Sequence, residues 1–191
     1  LLGANVPFIL CGPPGSGKTM TLVDAIGDAL GEEYRLVELS FSSQTTPDLI
    51  FKTLFQYCDF VDSPSGPVMR PTNRQGVGLK RGIGGEGGDK TSNGWSGRLV
   101  VFCDEINLPD CDDFGSQAVI SLLRQLMEQG GYYDKRHRWV RLQRVTFVGA
   151  CNPPSDKGRM LLSHRFLQRI PVLYIGYPHN ASLKQIYRTF I

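Results

Sequence analysis

The chain has 191 residues, 41% of them hydrophobic, enough to bury the core of one α/β domain. A net charge of +3 gives no bulk case for nucleic-acid binding, and no stretch reads as a signal peptide or a membrane span. Five cysteines, at positions 11, 58, 103, 111 and 151, form no CxxC pair and read as buried thiols in a reducing compartment.

The apolar run at residues 8–11 predicts a buried strand. Directly after it, Gly12-Pro13-Pro14-Gly15-Ser16-Gly17-Lys18-Thr19 fits GxxxxGK[ST], the phosphate-binding P-loop. Residues 18–30 read as a helix with Leu22, Val23, Ile26, Ala29 and Leu30 on one apolar side. Strand, loop, helix is the setting the motif requires; a bare glycine-rich turn is the weaker reading. Glycines let the backbone curl so that successive N–H groups face phosphate oxygens, and the helix N-terminus adds its positive dipole end. Lys18 would reach the β- and γ-phosphates and Thr19 would offer its hydroxyl to Mg²⁺. The expected nucleotide contacts are Gly12 to Thr19 together with Met20.

Residues 35–41 predict a second strand. Thr46-Pro47 reads as an N-cap followed by proline at the first helical position, with Leu49, Ile50, Leu54 and Phe55 toward the core. From 63 to 97 proline and glycine are dense and aliphatics sparse, with five glycines between 82 and 88. This segment is expected to be a hairpin or loop insertion with a disordered tip. It makes no second phosphate loop, because no strand leads in and no helix leads out.

Residues 99–103 form a continuous apolar run, as a fully buried parallel strand does. Asp104-Glu105 closes it. In that position Asp104 would hold the Mg²⁺ that bridges the phosphates, and Glu105 would polarise the attacking water as a general base. The alternative is a pair of solvated acids at a strand end. Residues 117–129 predict a helix with Ile120, Leu123, Leu126 and Met127 inward, ended by Gly130-Gly131. Residues 132–144 predict a β-hairpin. Its basic residues Lys135, Arg136, His137, Arg138, Arg141 and Arg144 are expected on the polar face of strands, where they could meet an acidic partner.

Residues 145–150 predict another buried strand, which delivers Asn152 to the carboxyl end of the sheet, where ligands bind in open α/β folds. There it would hydrogen-bond the nucleophilic water or the γ-phosphate; taken alone, an Asn before Pro153-Pro154 is a turn residue. Arg165 and Arg169, in Ser163-His164-Arg165-Phe166-Leu167-Gln168-Arg169, read equally as an arginine finger or as surface salt bridges. Residues 172–175 predict the last strand. Asn180-Ala181-Ser182 matches a glycosylation sequon but reads better as a helix start, with Asn180 or Ser182 as N-cap. Strands alternating with helices imply a mostly parallel sheet covered on both faces. The opening Leu-Leu-Gly and the stop inside a predicted helix lead us to expect a fragment of a longer protein.

A P-loop, an Asp-Glu strand end, a sensor Asn and then SHRF is the layout of the AAA+ ATPases. The phrases CGPPGSGKTMTL, VVFCDEINLPDCDDFGSQAVISLLRQLMEQGGYYD and VGACNPPSDKGRMLLSHRFLQR resemble, more narrowly, the third AAA+ module of the cytoplasmic type of dynein heavy chain. The resemblance covers nearly the whole chain except 63–97. It implies the large α/β subdomain of an AAA+ module over residues 1–191, a P-loop NTPase fold with a mostly parallel five-stranded sheet in the order 5-1-4-3-2, and residues 180–191 as the start of a lid helix. It implies ATP or ADP with Mg²⁺ as cofactors, held by the P-loop, Thr19 and Asp104. It also implies a ring of six modules in one polypeptide, in which this one is a regulatory ATPase whose nucleotide state gates microtubule release. Arg165 would then act on the preceding module's nucleotide. The implied partners are adjacent AAA+ modules, light and intermediate chains and regulators, and microtubules, in the cytoplasm; no nucleic acid is implied. The 132–144 hairpin would be the pre-sensor insert. Two alternatives stay open: a module that holds nucleotide without turnover, or a module of another AAA+ remodelling ring.

Overall fold

Every strand of the central sheet runs in the same direction, and its helices are spaced along the chain to allow that. A computed structural model describes residues 1–29, 33–64, 66–72, 97–113 and 115–189. A short 3-10 turn (Leu2–Ala4) precedes β1 (Phe8–Cys11), α1 (Lys18–Ala29), β2 (Tyr34–Ser40) and α2 (Pro47–Tyr57). Then come β3 (Cys58–Ser63), β4 (Gly66–Pro71), β5 (Arg98–Asp104), α3 (Ala118–Gln129), β6 (Gly131–Tyr133) and β7 (Trp139–Leu142). The chain continues through β8 (Val145–Cys151), α4 (His164–Leu167), β9 (Val172–Tyr174) and α5 (Asn180–Thr189). The central sheet is ordered β2-β5-β8-β1-β9, with every pairing parallel. Counting only its own five strands in chain order, that is 5-1-4-3-2, as the family resemblance implies.

Side chains alternate across a strand, and the core divides accordingly. Phe8 and Leu10 of β1, Val100 and Phe102 of β5, and Val148 and Ala150 of β8 pack with Leu22 and Ile26 of α1. Ile9, Val101, Cys103, Phe147 and Cys151 face the other way, onto Ile50 and Leu54 of α2, Leu123 and Leu126 of α3, and Phe166 of α4. Phe102, Leu123 and Phe166 are fully buried. Burying such a side chain contributes about 1.5–3 kcal/mol relative to leaving it in water.

The helix punctuation follows local chemistry. Thr46 precedes α2 with Pro47 at its start, although the Thr46 side chain makes no capping bond. Gly130 ends α3 in the left-handed conformation (φ 66°), as its glycine pair predicts. Ser163 caps the single turn of α4, its hydroxyl accepting the Phe166 N–H. Before α5 stands His179, whose carbonyl accepts the Leu183 N–H (2.9 Å), so neither Asn180 nor Ser182 occupies the cap expected of them.

Several expectations are corrected. Val23 is 41% exposed and Phe55 59%, whereas Leu22 and Ile26 of α1, and Ile50 and Leu54 of α2, are buried in the core. Phe55 stacks instead on Phe51 at the surface (centroids 6.4 Å apart). The predicted last strand is present as β9; among the described residues it lies at the sheet's edge and pairs only with β1, and Val172, Leu173 and Tyr174 are exposed. Lys135 to Arg138 lie in the β6–β7 turn rather than on a strand face. Asp134 organises that turn, accepting the N–H groups of Arg136 and Arg138 and pairing with the Arg138 guanidinium (3.0 Å). Those donors hold its carboxyl below the usual carboxylate range. Cys111 is exposed, unlike the buried Cys58, Cys103 and Cys151; all five cysteines are free.

A second sheet, β3-β4-β7-β6, is built from two hairpins joined by a parallel pairing of Val68 and Met69 with Arg141 and Leu142. The β3–β4 hairpin starts at Cys58, five residues before the composition changes. The side chain of Ala29, Leu30, and the insertion from 73 to 96 with its glycine run lie outside the described residues. Among the described residues, no helix is long and apolar enough to cross a membrane.

Candidate functional site

Three neighbouring strands of the central sheet release their chains at one place. β1 runs into the P-loop, β5 ends on Asp104, and β8, which lies between them, hands over to Asn152. Backbone bonds stitch these ends together: the Gly12 N–H to the Cys151 carbonyl (3.2 Å) and the Ile106 N–H to the Ala150 carbonyl (3.0 Å). The result is an open cleft of about 310 Å³. Pro14, Gly15, Gly17, Lys18, Thr19 and Met20 line one side, and Asp104, Glu105 and Asn152 the other.

The loop's glycines are used for two different reasons. Gly15 (φ 74°) and Gly17 (φ 90°) take left-handed conformations that turn the backbone inward. Gly12 is required by space: a Cβ there would lie 2.0 Å from the Ile175 carbonyl oxygen. Lys18 is 9% exposed, and its three ammonium donors reach the Gly12 carbonyl (2.9 Å), the Pro13 carbonyl (3.1 Å) and Asn152 Oδ1 (2.9 Å). The lysine therefore bridges the loop and Asn152, at the end of β8, directly. Ser16 Oγ is buried without a hydrogen-bond partner, a polar atom waiting inside the loop.

Asp104 is half-buried. Burial, first of all, raises its pKa above the ordinary value of 3.8; the Glu105 N–H opposes this, the Glu105 charge adds to it, and Lys18 and Arg159 pull it down. The folded state therefore holds this proton more tightly than the unfolded chain. Its contribution to stability is present below pH 3.8 and lost as pH rises through the raised value. A bound cation reverses that preference. In Asp104→Asn we expect the Mg²⁺-dependent part of nucleotide affinity to vanish while the metal-free fold loses this acid-side pH dependence. Titration calorimetry with and without Mg²⁺, and melting against pH, check the two halves.

Glu105 adopts φ 57°, the left-handed region that a side chain occupies at a cost. A turn holds it there: its N–H donates to Asp104 Oδ1 (2.9 Å) and its carbonyl accepts the Leu108 N–H (3.0 Å). Its carboxylate is paired, with Arg159 Nη2 lying 2.7 Å from Glu105 Oε1. Arg165, on α4, and Arg169 are exposed and do not line this cleft.

Residues 93–178 match the family described as the P-loop containing dynein motor region. Over 190 residues the chain is 50% identical to the cytoplasmic dynein heavy chain of Drosophila melanogaster, with 99% of the chain covered. The chain matches a P-loop segment of the dynein motor. The cytoplasmic dynein heavy chains of Caenorhabditis elegans and Dictyostelium discoideum are each 46% identical over the same 99%. The chain spans 4% of the length of these curated relatives. A crystal structure described as a candidate ATPase from Cytophaga hutchinsonii superposes with a TM-score of 0.54 at 13% identity, covering 98% of this chain and 46% of that one; this likeness concerns the fold alone. The sheet order, the P-loop and the family match together give the fold of a P-loop module of AAA+ type.

The structure also brings to this cleft three residues that sequence reasoning passed over. Asn107, 2% exposed, donates from Nδ2 to the Asn152 carbonyl (3.0 Å) and so ties the turn after the acids to the segment that leaves β8. Arg159 grips Glu105. The Tyr177 hydroxyl donates to the Pro14 carbonyl (3.1 Å), binding the stretch after β9 to the loop. No sequence signal marks Arg159 or Tyr177; a polar residue two positions beyond Glu105, about to be buried, was the one available hint at Asn107.

The cleft fits a nucleoside triphosphate with Mg²⁺. Its volume lies in the ordinary range for ligand sites, about 300–1,000 Å³. The inward-turned loop, the buried Lys18 and the unpartnered Ser16 Oγ suit phosphate oxygens. Among the described residues, no group of three or more His, Cys, Asp and Glu could hold a metal alone. That fits Mg²⁺, which typically takes one or two protein ligands and completes its shell with phosphates and water; here the protein's share would come from Thr19 and Asp104.

Proposed function

We propose that the chain is the large subdomain of a Mg²⁺-dependent regulatory ATPase module, the third in a cytoplasmic dynein ring, whose nucleotide state gates microtubule release and minus-end-directed movement. The observation that supports this best is the gathering of Lys18, Asp104, Glu105 and Asn152 on one cleft. Lys18 and the P-loop would bind the phosphates of ATP or ADP, with Thr19 and Asp104 on Mg²⁺. Glu105 would take the proton of the attacking water, and Asn152 would orient that water or the γ-phosphate. Bound Mg²⁺ would neutralise charge on the phosphates. The dynein matches, together with the long phrases quoted above, argue against another remodelling ring.

On this reading the module meets adjacent AAA+ modules of the same heavy chain. Light and intermediate chains, regulators and microtubules enter through the whole motor, in the cytoplasm. Residues 180–191 begin the lid, and Arg165 serves the preceding module's site. Arg165→Ala should then leave nucleotide affinity at this cleft within about twofold and slow turnover at the preceding site by about 10³-fold, as removal of an arginine finger does. Single-site turnover in a ring with the other sites blocked measures both; slowing at this cleft instead would reject the neighbour assignment.

One observation favours the second reading, a module that holds nucleotide without turnover: the candidate base is engaged by Arg159. The bound nucleotide extracted from the assembled ring after ATP loading separates the two. ADP accumulating at this site supports turnover; ATP persisting through many cycles of the first module supports holding.

A further inference from the structure

The Glu105–Arg159 pair is more than a surface contact. The Arg159 side chain is 13% exposed and the Glu105 side chain 39%, so the guanidinium sits deep and reaches outward to the acid. A general base must present an oxygen within hydrogen-bond reach of the water that it activates. Here Oε1 is already committed to Nη2 at 2.7 Å. The grip is only half made. A guanidinium and a carboxylate commonly pair through two parallel bonds, yet Arg159 Nη1 is buried with no partner.

The segment carrying Arg159 is anchored at both ends to candidate functional residues. It leaves Asn152 and enters α4, which carries Arg165. Next to Arg159, the Met160 N–H donates to the Asn107 carbonyl (2.8 Å), and Asn107 Nδ2 donates to the Asn152 carbonyl. Asn107 Oδ1 is a second buried atom without a partner. An unused donor and an unused acceptor are thus buried on two segments joined by these bonds, so the grip on Glu105 leaves hydrogen-bonding capacity unspent beside it. Glu105 is held in a left-handed conformation at the same point.

We propose that Arg159 is a positioning residue that latches the Glu105 carboxylate away from the attacking water, and that release of this latch sets how fast the module clears its ATP. The inference rests on the hydrolysis reading above. Because Arg159 lies on the connection between Asn152 and α4, a shift of that connection alters the latch and the carrier of Arg165 together. The latch acts on the proton-acceptor step and leaves phosphate contacts to the P-loop.

The test uses the full motor ring with its other nucleotide sites blocked. Arg159→Ala should raise kcat at this site about threefold or more with KM within about twofold, the signature of a change in the chemical step alone. In a Glu105→Gln background the same substitution should do nothing, since Arg159 acts through that carboxylate. Arg159→Lys, which keeps the charge without the planar fork, should fall between wild type and Arg159→Ala, and serves in its place should the alanine variant fold poorly. Unchanged or slower turnover in a folded Arg159 variant overturns the latch, as does an acceleration that persists in Glu105→Gln. Should Glu105→Gln alone leave turnover intact, the hydrolysis reading fails and takes the latch with it, an outcome distinct from the failure of the latch alone.

Discussion

Lys18→Ala removes nucleotide binding at this cleft while leaving the fold in place. The ammonium would contribute charge-assisted hydrogen bonds to two phosphate groups, each worth about 1.5–3 kcal/mol, so affinity should drop by about 10²–10⁴-fold. The structure adds a reason for the upper part of that range. Lys18 also joins the Gly12 and Pro13 carbonyls to Asn152 Oδ1, so its loss unties the loop from the end of β8, which frames the other wall. Because the cleft is open, water can satisfy the three abandoned acceptors, and the melting temperature should move by a few degrees at most. Fluorescent-nucleotide titration, with the other ring sites blocked, measures the first effect, and a thermal melt the second. Near-normal affinity would falsify the assignment of Lys18 to the phosphates.

The central sheet was legible because its signals are local. Residues 8–11, 99–103 and 145–150 are apolar runs, and each predicts a buried strand within a residue or two of β1, β5 and β8. The P-loop, Asp104 and Asn152 follow from where those strands stop. The strand order is another matter: it came through resemblance, since a run of apolar residues does not say which strand will be its neighbour. The same limit hid the second sheet. The 132–144 hairpin is visible in the sequence, but β3 lies ahead of the composition change at 63, and the parallel pairing of Met69 with Leu142 joins segments more than seventy residues apart, which no local pattern announces. Exposure at the sheet's edge is illegible for a related reason: the apolar Val172 and Leu173 are exposed because β9, among the described residues, has β1 as its one neighbour. Arg159 was illegible because its meaning depends entirely on meeting Glu105, fifty-four residues earlier.

Glu105→Gln should trap ATP at this site. The amide keeps the side chain's size and can still bond Arg159, in this case through its oxygen, but it cannot accept a proton from water. Turnover should drop by about 10²-fold or more with affinity little changed, as loss of a general base requires. The consequence reaches the motor if the two nucleotide states of this module favour different ring conformations, a coupling typically worth about 1–3 kcal/mol. Held on ATP, the module then biases the ring toward the conformation that keeps hold of the track. Motors carrying Glu105→Gln should stay bound to microtubules when the first module binds ATP, and should move slowly. The latch at Arg159 sharpens the expectation: with the base removed, its state no longer matters, so Glu105→Gln and the double variant Glu105→Gln, Arg159→Ala should behave alike. ATP-induced release and gliding velocity, compared across wild type and both variants, decide the matter. Equal release and velocity in wild type and Glu105→Gln would leave a passive nucleotide holder. Loss of release in Glu105→Gln, with single-site turnover slowed in parallel, is the result expected of a regulatory ATPase.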